Sequence, residues 1–105
     1  MIKTRKMRRK IPILRISIEP GAGYSQLIEM PEIRDVVIEE TICAIEDGIK
    51  NKKISISLFE VAHTNYYIEL KKENWKSTLE NTLEYYIEIE EYNKCVEIRD
   101  LITKL

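Results

Sequence analysis

An α+β fold, with a small three-stranded sheet, one crossover helix and a C-terminal αα-hairpin in the order β-α-β-β-α-α, is predicted for this chain by three features of its sequence. The first is size: 105 residues supply one core, removing roughly two thirds of the unfolded surface from water, and are too few for two ordinary domains. The second is periodicity. Apolar residues alternate in three segments, as in strands with one buried face, and recur every three or four residues in three others, as in amphipathic helices. The third is punctuation, because Gly, Pro, Asn or clustered charges separate these segments.

Residues 1–9 are highly charged without periodicity and read as a flexible basic arm; residues 10–105 read as the domain. Leu14, Ile16 and Ile18 then alternate with Arg15 and Ser17, predicting a first strand. Pro20-Gly21-Ala22-Gly23 breaks it, and the segment from Tyr24 to Met30 is compatible with a short helical turn or an irregular loop. Pro31 suits a first helical position, Glu32 and Asp35 a first turn, and Gly48 a left-handed closing residue, so a helix is expected from about 31 to 47. Its core-facing stripe is Ile33, Val36, Val37, Thr41, Ala44 and Ile45.

A Lys-rich turn at 50–53 leads to a second strand, with Ile54, Ile56 and Leu58 on one face and Ser55, Ser57 and Phe59 on the other. A polar turn at 62–65 joins it to a third, in which Tyr66, Ile68 and Leu70 alternate with Tyr67, Glu69 and Lys71, giving a hairpin. From Glu73 the period changes to that of a helix. One stripe runs through Trp75, Leu79, Leu83, Tyr86 and Ile87, and a second through Tyr92, Cys95, Val96, Ile98, Ile102 and Leu105. A straight helix of this length carries the two stripes out of line, so a turn is expected at Glu90 or Glu91.

Composition narrows the function. Apolar residues at 44% exclude a mainly disordered chain, while charged residues at 33% and the lack of an apolar run of about 18 exclude a membrane span. Catalytic signatures are missing, and with one His, two Cys and three Gly the chain is not expected to be an enzyme or to carry a cofactor. His63 has no second His or Cys at ligand spacing, so no metal site is expected. Gly21-Ala22-Gly23 follows a strand but lacks the Lys-Ser/Thr or third Gly of a phosphate loop and reads as a tight turn. Glu84, Glu88 and Glu91 share a helix face without any Glu-x-x-His pair and read as a solvated surface. Trp75 reads as a core anchor. Ile11–Leu14, interrupted by Pro12 and followed by Arg15, makes no signal-peptide core, so a cytoplasmic location with reduced, core-filling Cys43 and Cys95 is expected. The abundance of Ile, Lys, Glu and Asn associates the chain with AT-rich genomes, including those of phages.

Charge is unevenly placed. Lys3, Arg5, Lys6, Arg8, Arg9, Lys10 and Arg15 give the first fifteen residues +7, and the remaining ninety carry −8. Such an arm can contact nucleic acid, a partner protein or the chain's own acidic helices. Aromatics that stack on bases are missing from it; Tyr66 and Tyr67 serve that purpose only if their sheet face is open.

The chain's end, LEYYIEIEEYNKCVEIRDLITKL, carries an acid pair and aromatic at the expected turn, Glu90-Glu91-Tyr92, then Cys95-Val96, Ile98-Arg99-Asp100, Ile102 and Leu105. In these positions it resembles the UVR motif, the short helical hairpin at the C-terminus of the excision-repair helicase subunit and of some protease regulators. It departs from that motif in carrying Cys95-Val96 and Tyr85-Tyr86 where small residues are usual. The resemblance covers about a quarter of the chain. It implies a protein-interaction hairpin across residues 73–105, with Tyr92, Arg99 and Asp100 as partner contacts. A small adaptor or regulator binding another protein through this hairpin is therefore one reading, and a nucleic-acid accessory protein using the basic arm is the other. A homodimer through a sheet edge or the hairpin is compatible with both.

Overall fold

The computed structural model describes residues 10–16, 18, 21 and 23–105. The basic arm at 1–9, and Ser17 and Pro20 of the predicted strand and break, lie outside these residues. Strands β1 (Ile13–Leu14), β2 (Ser55–Val61) and β3 (Tyr67–Lys71) form a mixed sheet in that order, β1 parallel and β3 antiparallel to β2. Between β1 and β2 run α1 (Tyr24–Leu27), a single turn, and the long α2 (Arg34–Lys50). After β3, a 3₁₀ turn at Lys72–Asn74 leads into α3 (Trp75–Glu88) and α4 (Tyr92–Thr103), the predicted helix pair. The fold is α+β.

Strand β1 is shorter than its alternation suggests. It is held by backbone bonds from Glu60 N–H to the Pro12 carbonyl and from Ala62 N–H to the Leu14 carbonyl, and β2 ends at Val61. Among the described residues no ladder pair follows Leu14, and Ile16, expected in the core, is exposed. Two further expectations fail on the sheet. Ile54 lies ahead of the ladder and is 81% exposed. A bulge between Ser57 and Phe59 inserts Leu58 as an extra residue, so Leu58 and Phe59 both enter the core instead of alternating. The β2–β3 turn falls at 62–65 as expected, with His63 in the left-handed region and the Thr64 hydroxyl donating to the Val61 carbonyl.

Helix α2 starts and ends three residues later than predicted. Residues 31–33 form a turn closed by the Ile33 N–H on the Met30 carbonyl. At the other end Gly48 is an interior, buried residue, not a cap. The left-handed closing position is Lys52, with φ 55°. Lys53 N–H reaches the Gly48 carbonyl and Lys52 N–H the Ile49 carbonyl, the paired bonds of a Schellman closure. Gly48 instead lets the sheet and α3 approach: a Cβ there would lie 2.6 Å from Trp75 Cη2 and 2.8 Å from Ile56 Cγ2. The buried face of α2 comprises Val37, Ile38, Thr41, Ile42, Ala44 and Ile45, while Val36 is exposed. Cys43 stands on the opposite side of the helix, exposed, and only Cys95 is the expected buried thiol.

Trp75 anchors the core as predicted. It is fully buried, and its indole N–H donates to the Leu70 carbonyl at 3.0 Å. With it Thr78, Leu79, Thr82 and Tyr86 form the buried stripe of α3, whereas Leu83 is half-buried and Ile87 is exposed. Two of the buried threonines satisfy their hydroxyls one turn back, Thr41 by donating to the Val37 carbonyl and Thr82 to the Thr78 carbonyl.

Candidate interaction surface

The turn between α3 and α4 is at Glu90, whose φ of 61° is left-handed. Glu90 N–H bonds to the Ile87 carbonyl and Glu91 N–H to the Tyr86 carbonyl, a second Schellman closure that folds the chain back after a three-residue link. α4 then lies along α3 through Cys95, Ile98 and Leu101, all buried, with Ile102 packed beside them. The start of α4 is tied to α2 by Lys94 and Glu39, 3.3 Å apart. The neighbouring Tyr86 phenol is pushed up to about 12, first by burial and then by the negative charges of Glu39, Asp35 and Glu97, with Tyr85 adding to them. It is therefore a neutral part of this junction at physiological pH.

A 3.6-residue period leaves only the Cys95/Ile98/Leu101 line of α4 facing the body. Tyr92 and Val96, expected in that stripe, are 61% and 65% exposed, and Leu105 is exposed at the chain's end. Tyr92, Val96, Arg99 and Thr103 are spaced i, i+4, i+7 and i+11 and so form one straight line along the outer helix surface. Ile87 and Ile89, exposed next to the turn, add apolar surface at its Tyr92 end. In the sequence, apolar identity and helical spacing place Val96 and Ile87 in buried stripes, and only the packing of neighbouring elements leaves them exposed.

The charged candidates occupy the same helix. Arg99 is exposed and has no carboxylate within ion-pair distance among the described residues. Asp100 pairs with Lys104 one turn on, at 3.3 Å with both side chains more than half exposed. Of the basic candidates, Lys10 and Arg15 are exposed; Lys3, Arg5, Lys6, Arg8 and Arg9 lie outside the described residues. Among the described residues one sheet face is in the core and the other is half-exposed to exposed, and register sets Ile13, Glu60 and Tyr67 side by side across this outer face. Glu84, Glu88 and Glu91 are exposed.

Among the described residues no group of three His, Cys, Asp or Glu side chains is placed to hold a metal ion, and no helix is long and apolar enough to cross a membrane. Compared with protein-family models, with curated proteins and with solved structures, the chain matches none of them.

Proposed function

We propose that this chain is a non-catalytic adaptor that presents the outer surface of α4 to a helical segment of another protein. The observation that carries this reading is the exposed line Tyr92, Val96, Arg99 and Thr103 on a helix whose opposite side is already committed to the core. Apolar anchors at one-turn spacing fit a second helix laid alongside, and an aromatic and an arginine are the residue types that dominate binding energy at such contacts. The likeness of Glu90-Glu91-Tyr92 and Ile98-Arg99-Asp100 to an interaction hairpin supports the same reading.

The test is co-purification from native lysate, with and without nuclease, of the parent and of two variants. Val96→Glu places a charge in the line, and the double change Arg99→Ala with Asp100→Ala removes its arginine and the carboxylate beside it. Val96 is 65% exposed, and exposed charge pairs contribute at most about 1 kcal/mol to folding, so both variants should melt within a few degrees of the parent. Partner capture should weaken by about tenfold or more, on the order of 1.4 kcal/mol. Capture at parental strength by both folded variants overturns the reading.

A second reading rests on the outer sheet face, where Tyr67 is 41% exposed and the exposed Arg15 follows β1. If the basic arm and this face hold nucleic acid, affinity should fall with salt along a log-log slope of several units, each phosphate contact contributing about 0.7 to 0.9. Removing residues 1–10 should abolish the binding. Glu60 and Glu69 on the same face oppose it, so the protein reading is preferred, and binding unchanged by the truncation eliminates the arm as its source.

A further inference from the structure

We propose that the cleft between α1, α2 and α3 is a binding site for a small monocarboxylate with an apolar body, such as an arylacetate, held by the Arg34 guanidinium. The cleft measures about 180 Å³, close to the roughly 150 Å³ that accommodates a benzene ring in a protein interior. Its walls are the side chains of Tyr24 and Ile28 from the α1 segment, Ile38 from α2 and Tyr85 from α3. These surfaces are apolar, and they converge on one cationic group.

Arg34 is half-buried, and its Nε–H donates to the Ile28 carbonyl at 2.6 Å. That bond fixes the plane of the guanidinium. Its two terminal amino groups have no acceptor among the described residues, and together they form the edge that receives a carboxylate by two parallel hydrogen bonds. Asp35, next in sequence, stands at the rim of the same cleft, where it accepts the Tyr85 hydroxyl on its Oδ1 at 2.6 Å; it is exposed, so solvent screens its charge, and it makes no ion pair with Arg34 among the described residues. Arg34 is also the first residue of α2, whose N-terminus has no side-chain cap, so the positive end of the helix adds to the local potential.

The remaining polar groups are consistent with an anion. Both phenols lining the cleft are held above the ordinary tyrosine pKa, Tyr24 by burial and Tyr85 by its bond to Asp35, so neither brings negative charge at neutral pH. Asn81 lines the cleft from an exposed position and offers an amide to the ligand's mouth-side end. Glu29 also lines it, but is exposed, where solvent screens its repulsion. The site is independent of the α4 surface and is tested separately from it.

The experiment is a titration of the full-length chain, read by NMR on the tyrosine ring signals, with sodium phenylacetate and with the isosteric neutral phenylacetamide. Phenylacetate should give saturable shifts with Kd on the order of 1 mM, the level expected of a ligand of about ten non-hydrogen atoms, and the amide should bind at least about tenfold more weakly. Arg34→Gln should erase that difference. Asn81→Trp, at an exposed position, fills the mouth and should weaken both ligands without disturbing the fold. Equal binding of acid and amide, or no saturation by either, overturns the proposal even if the Arg34 variant fails to fold.

Discussion

Leu79→Ala should lower the free energy of unfolding by about 2 to 5 kcal/mol, a large part of the stability of a domain this size. Leu79 is fully buried in the middle of α3, and Trp75 one turn before it is pinned through its indole N–H to Leu70. The wall on that side of the new cavity therefore cannot collapse, and the variant loses both the transfer energy of the methyl groups and their packing. Urea denaturation of parent and variant measures the loss directly. Leu83→Ala, one turn later, is the internal control: Leu83 is only half-buried, so its change should cost less than about half as much. Equal losses at the two positions would show that α3 is rotated from the described orientation.

Gly48→Ala should destabilise although it improves the helix. In an open helix surface the substitution gains up to about 1 kcal/mol, but here the new methyl meets Trp75 Cη2 and Ile56 Cγ2 well inside contact distance. Trp75 is fully buried and Ile56 nearly so, and neither has space to yield without displacing its neighbours. Overpacking costs about 1 to 3 kcal/mol, and with two buried groups under 3 Å from the new methyl the cost falls in the upper part of that range, about 2 to 3, so the sum is a net loss of about 1 to 2, or a fall of several degrees in thermal midpoint. A midpoint equal to or above that of the parent would show that α2 and α3 can separate locally.

Elements built from contiguous residues were legible in the sequence. The hairpin turn at 62–65, the pairing of β2 with β3 and the reversal at Glu90 each depend on residues within a few positions of one another, where turn propensity and change of period act directly. The spacing that aligns Tyr92 with Arg99 was present in the same way, because seven residues make two helical turns whatever the surroundings.

What local pattern could not decide is which apolar side chain meets another element. Val36, Ile54, Ile87 and Val96 are as apolar as their buried neighbours, yet each is exposed, because the sheet and the partner helices cover only part of the surface at each position. Gly48 carried the signature of a helix end and serves as a contact point, since its role depends on an indole 27 residues further along the chain. The Arg34 cleft was invisible for the same reason: its walls come from three segments spread between Tyr24 and Tyr85, and no window of sequence contains them together. Hydrophobic identity and periodicity thus determine which elements form and roughly where they turn. Non-local packing alone selects which of their side chains are buried, which approach closely and which remain available to bind.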